Sequence, residues 1–203
     1  MPRVRYASGV ERQDWNRRWL DRPLHCLDDP TPILAAELAD LTPGRALDLA
    51  CGAGRNAVWL AERGWRVTAV DFSDTALELA RKHGTGIDWI LADLREYEPE
   101  PGAFDLVLLT YLHVLADERR AILARGAGAL APRGTILVLG HDVANLGTGA
   151  PGPSNPDVLY TPSEIADELP GLDVEKAERV IRPVTTDDSE VEAIDTLVRA
   201  RRP

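Results

Sequence analysis

Short apolar runs alternate with amphipathic segments through the middle of the chain. Each run is short enough for a strand, and each amphipathic segment repeats its apolar residues at helical spacing. Because strand and helix alternate, right-handed crossovers and a parallel sheet follow, and the predicted fold class is α/β. The pattern predicts strands at Arg45–Leu49, Trp65–Val70, Ile87–Leu91, Phe104–Thr110 and Thr135–Gly140, and helices at Arg55–Arg63, Asp74–His83 and Asp117–Leu130.

The two ends of the chain follow other patterns. A helix carrying Trp15 and Trp19 is predicted at Ser8–Leu20. Near the C-terminus two strand-like segments have no helix between them, so we expect them to pair antiparallel. We expect a helical lid segment over 1–30 and a ligand-binding domain over 31–203. The other predicted segments are a helix from Thr31-Pro32 to Leu41, a glycine- and proline-rich loop at Gly147–Pro156, a helix from Thr161-Pro162 to Leu169, and strands at Leu172–Pro183 and Val191–Ala200.

Composition is that of an ordinary globular chain. Its 203 residues are 44% hydrophobic and 28% charged, which is enough to bury a core without covalent staples. Two cysteines, Cys26 and Cys51, make no disulfide framework, so a cytoplasmic location is expected. No apolar run reaches the length of a membrane span, and the first residues do not resemble a signal peptide. Only Lys82 and Lys176 among the 23 basic residues are lysines, a skew typical of a GC-rich bacterial genome.

The net charge of −10 narrows the class of partner. It argues against nucleic acid, because phosphate binding depends on clustered lysine and arginine, and against a basic membrane anchor. An acidic surface attracts small cations, so a cationic ligand stays open. We therefore expect a small-molecule substrate, no nucleic acid, no membrane, and a monomer or homodimer.

A glycine loop, Asp48-Leu49-Ala50-Cys51-Gly52-Ala53-Gly54, follows the first predicted strand. Its glycines permit a tight turn and a close approach to a ligand, and the next helix presents free N–H groups to ligand oxygens. Asp71 ends the second strand, where a carboxylate can accept hydrogen bonds from ribose hydroxyls. The sequence therefore predicts an adenosine-type ligand at the carboxyl edge of the sheet.

A nicotinamide dinucleotide is one interpretation of this loop, since Gly52, Gly54 and Ala57 fit its fingerprint. Four features favour another ligand. Asp48 replaces the apolar residue expected in a dinucleotide fold and suits an ammonium group. Asp93, after the third strand, suits an adenine amino group. The chain also ends in a strand pair, and no tyrosine is followed four residues later by lysine, as a short-chain reductase site requires.

Together these motifs resemble the class I S-adenosylmethionine-dependent methyltransferases. Asp48–Gly54 is similar to their first motif, Val70-Asp71-Phe72 to the ribose-binding second, and Ala92-Asp93-Leu94 to the adenine-binding third. The resemblance runs from about Pro30 to the C-terminus. It implies a Rossmann-like, doubly wound sheet of seven strands, mostly parallel with an antiparallel last strand. Asp14–Trp19 and Gly54-Arg55-Asn56 are similar to the tellurite-resistance and thiopurine methyltransferase group.

The resemblance implies S-adenosylmethionine as the cofactor, and it implies which residue contacts each part of that molecule. Cys51 stands where the family often has glycine, and we interpret it as a small filler rather than a nucleophile. The implied contacts are Asp48 at the ammonium group, Gly52 and Gly54 at the methionine part, Asp71 at the ribose, Phe72 along the adenine, Asp93 and Leu94 at its amino edge, and Thr110 and Tyr111 at the sulfonium.

Candidates for the acceptor side follow the fourth and fifth predicted strands. His141 and Asp142 come directly after strand five, at the sheet edge where ligands bind. We take His141 as a candidate base and Asp142 as a candidate substrate contact. Tyr111 is a candidate pocket wall and catalytic residue, whereas His113 is expected to serve packing.

The N-terminal segment supplies further candidates. Trp15 and Trp19 lie four residues apart and share one helical face, so they are candidates for a lid over the cofactor. Neighbouring arginines in this helix are expected to face solvent. His25 and Cys26 are too few to predict a metal site, so no metal is expected.

Methyl transfer is a displacement at carbon, so alignment and exclusion of water are its main needs. A base is required only where the acceptor must lose a proton. Little chain lies outside the core to hold a large substrate, so we expect transfer to a small soft nucleophile such as a thiol or a tellurite-like oxyanion. The alternatives are an O- or N-methyltransferase of a phenolic or heterocyclic metabolite, a non-catalytic cofactor-binding domain and a NAD-dependent reductase.

Overall fold

A seven-stranded sheet forms the centre of the computed structural model, which describes residues 12–21, 30, 32–185 and 189–203. The strand order is β3-β2-β1-β4-β5-β7-β6. All neighbouring pairs from β3 to β5 are parallel, whereas β7 runs antiparallel to both β5 and β6. The predicted fold class is therefore confirmed. The strands are β1 Arg45–Leu49, β2 Arg66–Asp71, β3 Asp88–Leu91, β4 Phe104–Thr110, β5 Leu130–His141, β6 Asp173–Thr185 and β7 Glu190–Arg201.

Six α-helices accompany the sheet in the described part of the chain. Their bounds agree with the predicted ones to within a few residues, and the predicted starts at Ser8 and Thr31 lie outside the described residues. One predicted end was wrong: α2 stops at Glu37 and not at Leu41. From there the chain continues in tighter turns, in which the Ala39 N–H bonds to the Ala36 carbonyl and the Leu41 N–H to the Leu38 carbonyl. The helices are α1 Arg12–Asp21, α2 Pro32–Glu37, α3 Arg55–Glu62, α4 Asp74–Ala80, α5 Ala116–Ala129 and α6 Pro162–Asp167.

Two apolar layers cover the two faces of the sheet, which explains why its central strands are apolar throughout. On one face Leu47, Val107 and Ile136 pack with residues of α5. On the other face the partners come from α2 and α3, and the strand residues include Leu108 and Leu139. No described helix is both long and apolar enough to cross a membrane.

The C-terminal strand pair extends the sheet beyond β5. α6 precedes it and begins at a capping box, in which the Thr161 side chain and Glu164 satisfy each other's backbone N–H groups. The antiparallel register sets His141, the last residue of β5, opposite Asp195 of β7. The fifth strand therefore begins at Leu130, five residues earlier than predicted, and ends one residue later, so that His141 lies within it.

Candidate functional site

The glycine loop after β1 turns through left-handed backbone conformations. Ala50, Gly52 and Gly54 have φ values of 61°, 56° and 84°. A Cβ atom on Gly52 would lie 2.7 Å from the ring of Trp19, and one on Gly54 would collide with Trp89. Both glycines are therefore required by conformation and by space, and the predicted tight strand-to-helix turn is confirmed.

Asp48 places a carboxylate at the base of this loop. It is fully buried, and neither of its oxygens has a well-formed hydrogen bond among the described residues, although the Ala57 N–H is near enough to lower its pKa. Burial and the nearby charge of Asp71 raise its pKa to about 7, while the charge of Arg55 opposes the rise. An unsatisfied buried carboxylate fits the ammonium group of S-adenosylmethionine, which would supply both a positive charge and hydrogen-bond donors.

Asp71 ends β2 and holds the loop from the other side. One carboxylate oxygen accepts a hydrogen bond from the Gly52 N–H at 2.8 Å, and the other accepts one from the Ser73 N–H at 2.8 Å. Burial raises the pKa of Asp71 although these hydrogen bonds oppose the rise. A carboxylate has about four acceptor positions, so a ribose hydroxyl can still bind beside the Gly52, Ser73 and Phe72 N–H groups.

A second unsatisfied acceptor lies in the first turn of α3. The Asn56 amide donates to the Thr110 hydroxyl at 2.9 Å, which ties α3 to the end of β4. The other atom of that amide, Oδ1, is buried and has no partner among the described residues. Asn56 thus belongs with Asp48: both offer a buried acceptor where a ligand with donors is expected.

The predicted adenine contacts follow β2 and β3. Phe72 is half-buried and Leu94 is buried. The Asp93 carboxylate pairs with the Arg95 guanidinium at 2.5 Å, and this hydrogen bond, against the effect of burial, lowers the pKa of Asp93. The carboxylate is therefore ionised and held in place by the backbone N–H and the guanidinium of Arg95, which contact both of its oxygens.

Helix α1 docks on the loop at the end of β2. The Asn16 amide donates to Asp74 at 2.6 Å and its oxygen accepts from the Ser73 hydroxyl at 2.6 Å. The same hydroxyl accepts the Ala76 N–H as the N-cap of α4. Because Asn16 docks α1 here, Trp19 on the same helix lies beside Gly52 of the glycine loop.

The two predicted lid tryptophans differ in their surroundings. The Trp19 ring lies against Gly52, whereas the Trp15 ring lies 5.0 Å from the guanidinium carbon of Arg18. The structure therefore brings Trp19 to the cofactor region and gives Trp15 a cation–π contact within α1.

The acceptor-side candidates gather around one buried carboxylate, Asp195. It accepts from the Tyr111 hydroxyl at 2.9 Å, from Nε of Arg182 at 3.0 Å and from Nδ1 of His141 at 2.9 Å. Burial opposes ionisation, but the bond from His141 and the charge of Arg182 win and lower the pKa of Asp195. The group is therefore a carboxylate at neutral pH.

Tyr111 and His113 form the wall beside it. Tyr111 has a φ of 54°, an unusual conformation for a non-glycine residue, which costs about 1–3 kcal/mol. Burial and the Asp195 charge raise the pKa of Tyr111. His113 stacks on His141 with ring centres 5.1 Å apart, and burial lowers its pKa to about 3, so it is neutral. His113 also stacks on Tyr160, in agreement with a packing role.

Asp142 faces away from this cluster. It is fully buried, accepts from Arg179 and from the Thr196 hydroxyl at 2.9 Å each, and caps the following turn through the Ala144 N–H. These bonds attach the end of β5 to β6 and β7. Its predicted contact with substrate stays a prediction.

Sequence reasoning missed Asp195, Arg182 and Asn56. Asp195 is the charged residue among the mostly apolar positions 193–198 of β7, which was the available signal, but its partner in register is 54 residues away. Cys51 is buried and free, and burial raises its pKa, as expected for an inert filler. Across the described ranges no cluster of three metal-binding side chains occurs. Cys26 and His25 lie outside them.

A family model described as a methyltransferase domain matches residues 46–134. The match spans β1 to the start of β5, so it contains the glycine loop and the two carboxylates beside it, Asp48 and Asp71. The predicted resemblance to the class I S-adenosylmethionine-dependent methyltransferases is therefore confirmed. S-adenosylmethionine is the cofactor that this family implies.

Among the curated relatives, the chain is 33% identical over 135 residues to a trans-aconitate 2-methyltransferase of Paracidovorax citrulli, covering 62% of this chain and 49% of the relative. It is 31% identical over 134 residues to a ubiquinone biosynthesis O-methyltransferase of Idiomarina loihiensis, covering 59% and 54%. The chain thus spans about half the length of the curated relatives it matches.

Solved structures share the fold. The N-methyltransferase NodS of Bradyrhizobium japonicum, in complex with S-adenosylhomocysteine, matches with a TM-score of 0.70 and 22% identity over 94% of this chain and 97% of that one. TehB of Haemophilus influenzae matches with a TM-score of 0.71 and 16% identity over 86% and 63%. At these identities the likeness concerns the fold alone.

Proposed function

We propose that this chain binds S-adenosylmethionine and transfers its methyl group to a small-molecule acceptor. The observation that carries the proposal is Asp48, a buried carboxylate with two unsatisfied oxygens beside a glycine loop. Leaving a charge unpaired in a folded protein is costly, and a cationic ligand that pairs with it removes the cost. The match to a methyltransferase domain supports the choice of ligand.

The cofactor would lie across the carboxyl ends of β1 to β4. Asp48 would hold its ammonium group, Gly52 and Gly54 would allow its methionine part to approach, and Asp71 would bind its ribose. Phe72, Leu94 and Asp93 would surround the adenine, with Thr110 beside the sulfonium. Trp19 on α1 would cover the methionine end and exclude water from it.

The bound cofactor supplies an electrophilic methyl group on a positively charged sulfur. The chain's own residues align the acceptor and keep the site dry, because the sulfonium charge disappears during transfer. Tyr111 and His141 lie on the acceptor side, and Tyr111 is rigid because its backbone conformation and its bond to Asp195 fix it.

Two acceptor classes were open from the sequence: soft nucleophiles that need no base, and hydroxyl or amino groups. The ring of His141 beside an ionised carboxylate is a candidate proton acceptor, which favours hydroxyl or amino acceptors. A thiolate or a tellurite-like oxyanion has no proton to give up and would not need it. The O-methyltransferases among the relatives support the same choice.

Calorimetric titration of the whole chain with S-adenosylmethionine, S-adenosylhomocysteine and NADH tests the binding proposal. We expect the first two to bind and NADH not to bind. The control is Asp105→Asn, which alters an exposed carboxylate at the opposite end of β4 and should leave the titration unchanged. Binding of NADH alone would overturn the proposal in favour of a reductase. Cofactor binding without methylation of any thiol, phenol or amine would favour a binding module.

A further inference from the structure

Asp195 organises the acceptor side of the site. Its carboxylate lies on β7 with no exposed surface and receives hydrogen bonds from three elements: His141 on β5, Tyr111 after β4, and Arg182 on β6. A carboxylate has only acceptor positions, so all three partners must be donors. The hydrogen atom in the bond to His141 therefore belongs to Nδ1 of the ring.

This arrangement determines the tautomer of neutral His141. With its hydrogen on Nδ1, the ring keeps a lone pair on Nε2. On one side the ring stacks on His113, and Tyr111 lies 5.0 Å away by ring centres. His113 is itself oriented by the Val158 carbonyl at 3.3 Å, so the His141 ring is fixed in orientation as well as in tautomer.

The Nε2 edge of His141 faces the loop over 147–156. A Cβ atom built on Gly152 would lie 3.1 Å from Cδ2 and 3.3 Å from Nε2 of that ring. Because Gly152 has no side chain, the loop approaches this edge with its backbone alone, and 13% of the His141 side chain is exposed. The loop is anchored nearby, because the Asn145 side chain accepts from the Ile194 N–H at 2.9 Å.

We propose that His141, positioned by Asp195, takes the proton from a hydroxyl acceptor, so that the methyl acceptor is a phenol or an alcohol. This inference rests on the proposed methyltransferase function and names its substrate class. The acceptor oxygen forms a bond to the methyl carbon while the carbon–sulfur bond breaks and its electron pair stays on sulfur. The hydroxyl proton moves to Nε2 and from there to solvent.

The groups around His141 are consistent with that step. The negative charge of Asp195 stabilises the imidazolium as it forms, and neutral His113 adds no positive charge. The positive charge of Arg182 opposes protonation of His141. Its guanidinium is, however, paired with Asp195 and packs 5.8 Å from the Tyr111 ring centre. The cluster is thus a proton acceptor supported by one carboxylate.

Phenol and thiophenol, which share their shape, separate proton removal from positioning. Thiophenol is largely ionised at neutral pH and needs no base, whereas phenol does. In Asp195→Asn we expect methylation of phenol to fall about a hundredfold in kcat, the scale of general-base catalysis, with a change of less than about threefold for thiophenol. His141→Gln, whose amide can still donate to Asp195, should behave alike. Equal losses for both probes would show a structural role and overturn the proposal, as would wild-type methylation of thiophenol but of no hydroxyl compound.

A measurement on the unliganded protein tests the positioning step without turnover. Nitrogen-15 spectra of the four histidines, assigned with the His141→Gln variant, report which ring nitrogen carries hydrogen. We expect His141 to be protonated on Nδ1 in the wild type and to populate the other tautomer in Asp195→Asn. An unchanged tautomer would remove Asp195 from this role.

The buried pair of Glu168 and Arg119 offers a matched control, at 2.7 Å and 8% and 5% side-chain exposure. Glu168→Gln should lose stability but keep both the His141 tautomer and the phenol-to-thiophenol ratio. S-adenosylmethionine titrations of every variant distinguish the two proposals. Wild-type protein that fails to bind the cofactor contradicts the proposed function, whereas retained binding with an unchanged probe ratio contradicts only this inference.

Discussion

The buried carboxylates in the two halves of the site have opposite surroundings. At the end of β1 and in the first turn of α3, Asp48 and Asn56 keep acceptors with no partner in the described chain. Between β5 and β7, Asp195 is satisfied by three donors of the protein itself. The first half is complete only with a ligand. In the second half Nε2 of His113 is buried without a partner among the described residues, but the carboxylate and the rings around it are already ordered. The difference indicates that the cofactor side gains stability on binding, whereas the acceptor side is preorganised.

The largest effect on stability and cofactor binding is expected at Asp71, which bonds to the glycine loop through Gly52 and to the start of α4 through Ser73. Asp71→Ala removes the bonds to the Gly52 and Ser73 N–H groups and should lower the free energy of unfolding by about 3 kcal/mol. Cofactor binding should weaken by about 1.5–3 kcal/mol, the range for a hydrogen bond to a charged group. Denaturant unfolding and calorimetry measure the two losses. Unchanged affinity would remove Asp71 from the site.

Substitution of Asp48 should change the stability of the empty protein in the opposite direction, toward greater stability. Since its pKa is raised to about 7 when folded, the empty protein loses stability as pH rises from about 4 to 7. Asp48→Asn should therefore stabilise the empty protein at pH 8 by about 2 kcal/mol, with no gain near pH 4. It should also weaken S-adenosylmethionine binding.

Denaturant unfolding of the wild type and of Asp48→Asn at pH 4 and pH 8, with and without cofactor, measures both the gain in stability and the loss of cofactor binding. The control is Asp105→Asn, at the other end of the sheet. A variant that is less stable than the wild type at pH 8 would show that Asp48 has an internal partner, and the contrast between the two halves would fail.

The acceptor side has its own pH dependence. His113 is held neutral with a pKa of about 3, below its unfolded value, so the unfolded chain binds a proton that the folded chain does not. Stability should fall by at most about 1.4 kcal/mol per pH unit as pH drops from about 6 toward 4. His113→Phe should reduce this slope. Identical slopes in the two proteins would contradict the burial argument.

The smallest effect is expected at Gly152. Gly152→Ala places a methyl group beside the His141 edge, a contact that costs about 1 kcal/mol on acceptor binding. We expect KM for phenol to rise while cofactor affinity stays constant. Gly128→Ala in α5, where a Cβ atom meets nothing within 4 Å, is the control and should be slightly stabilising. An unchanged KM would place the acceptor elsewhere.

Sequence predicted the cofactor side better than the acceptor side, for a physical reason. Asp48 and the two glycines lie within seven consecutive residues, and Asp71 follows one crossover later, so a local pattern contains most of that half. The bond between His141 and Asp195 depends on the register of two antiparallel strands 54 residues apart, which no local pattern specifies. Helical spacing likewise put Trp15 and Trp19 on one face, but only packing against α4 brought Trp19 to the loop.

One continuous series of hydrogen bonds runs from helix α1 to the glycine loop. Asn16 bonds to the Ser73 hydroxyl, the Ser73 N–H bonds to Asp71, and Asp71 bonds to the Gly52 N–H. Docking of α1 and occupancy of the cofactor site therefore share one set of contacts and are linked equilibria. By reciprocity, whatever free energy the cofactor adds to the docking of α1, the docked helix returns to cofactor affinity.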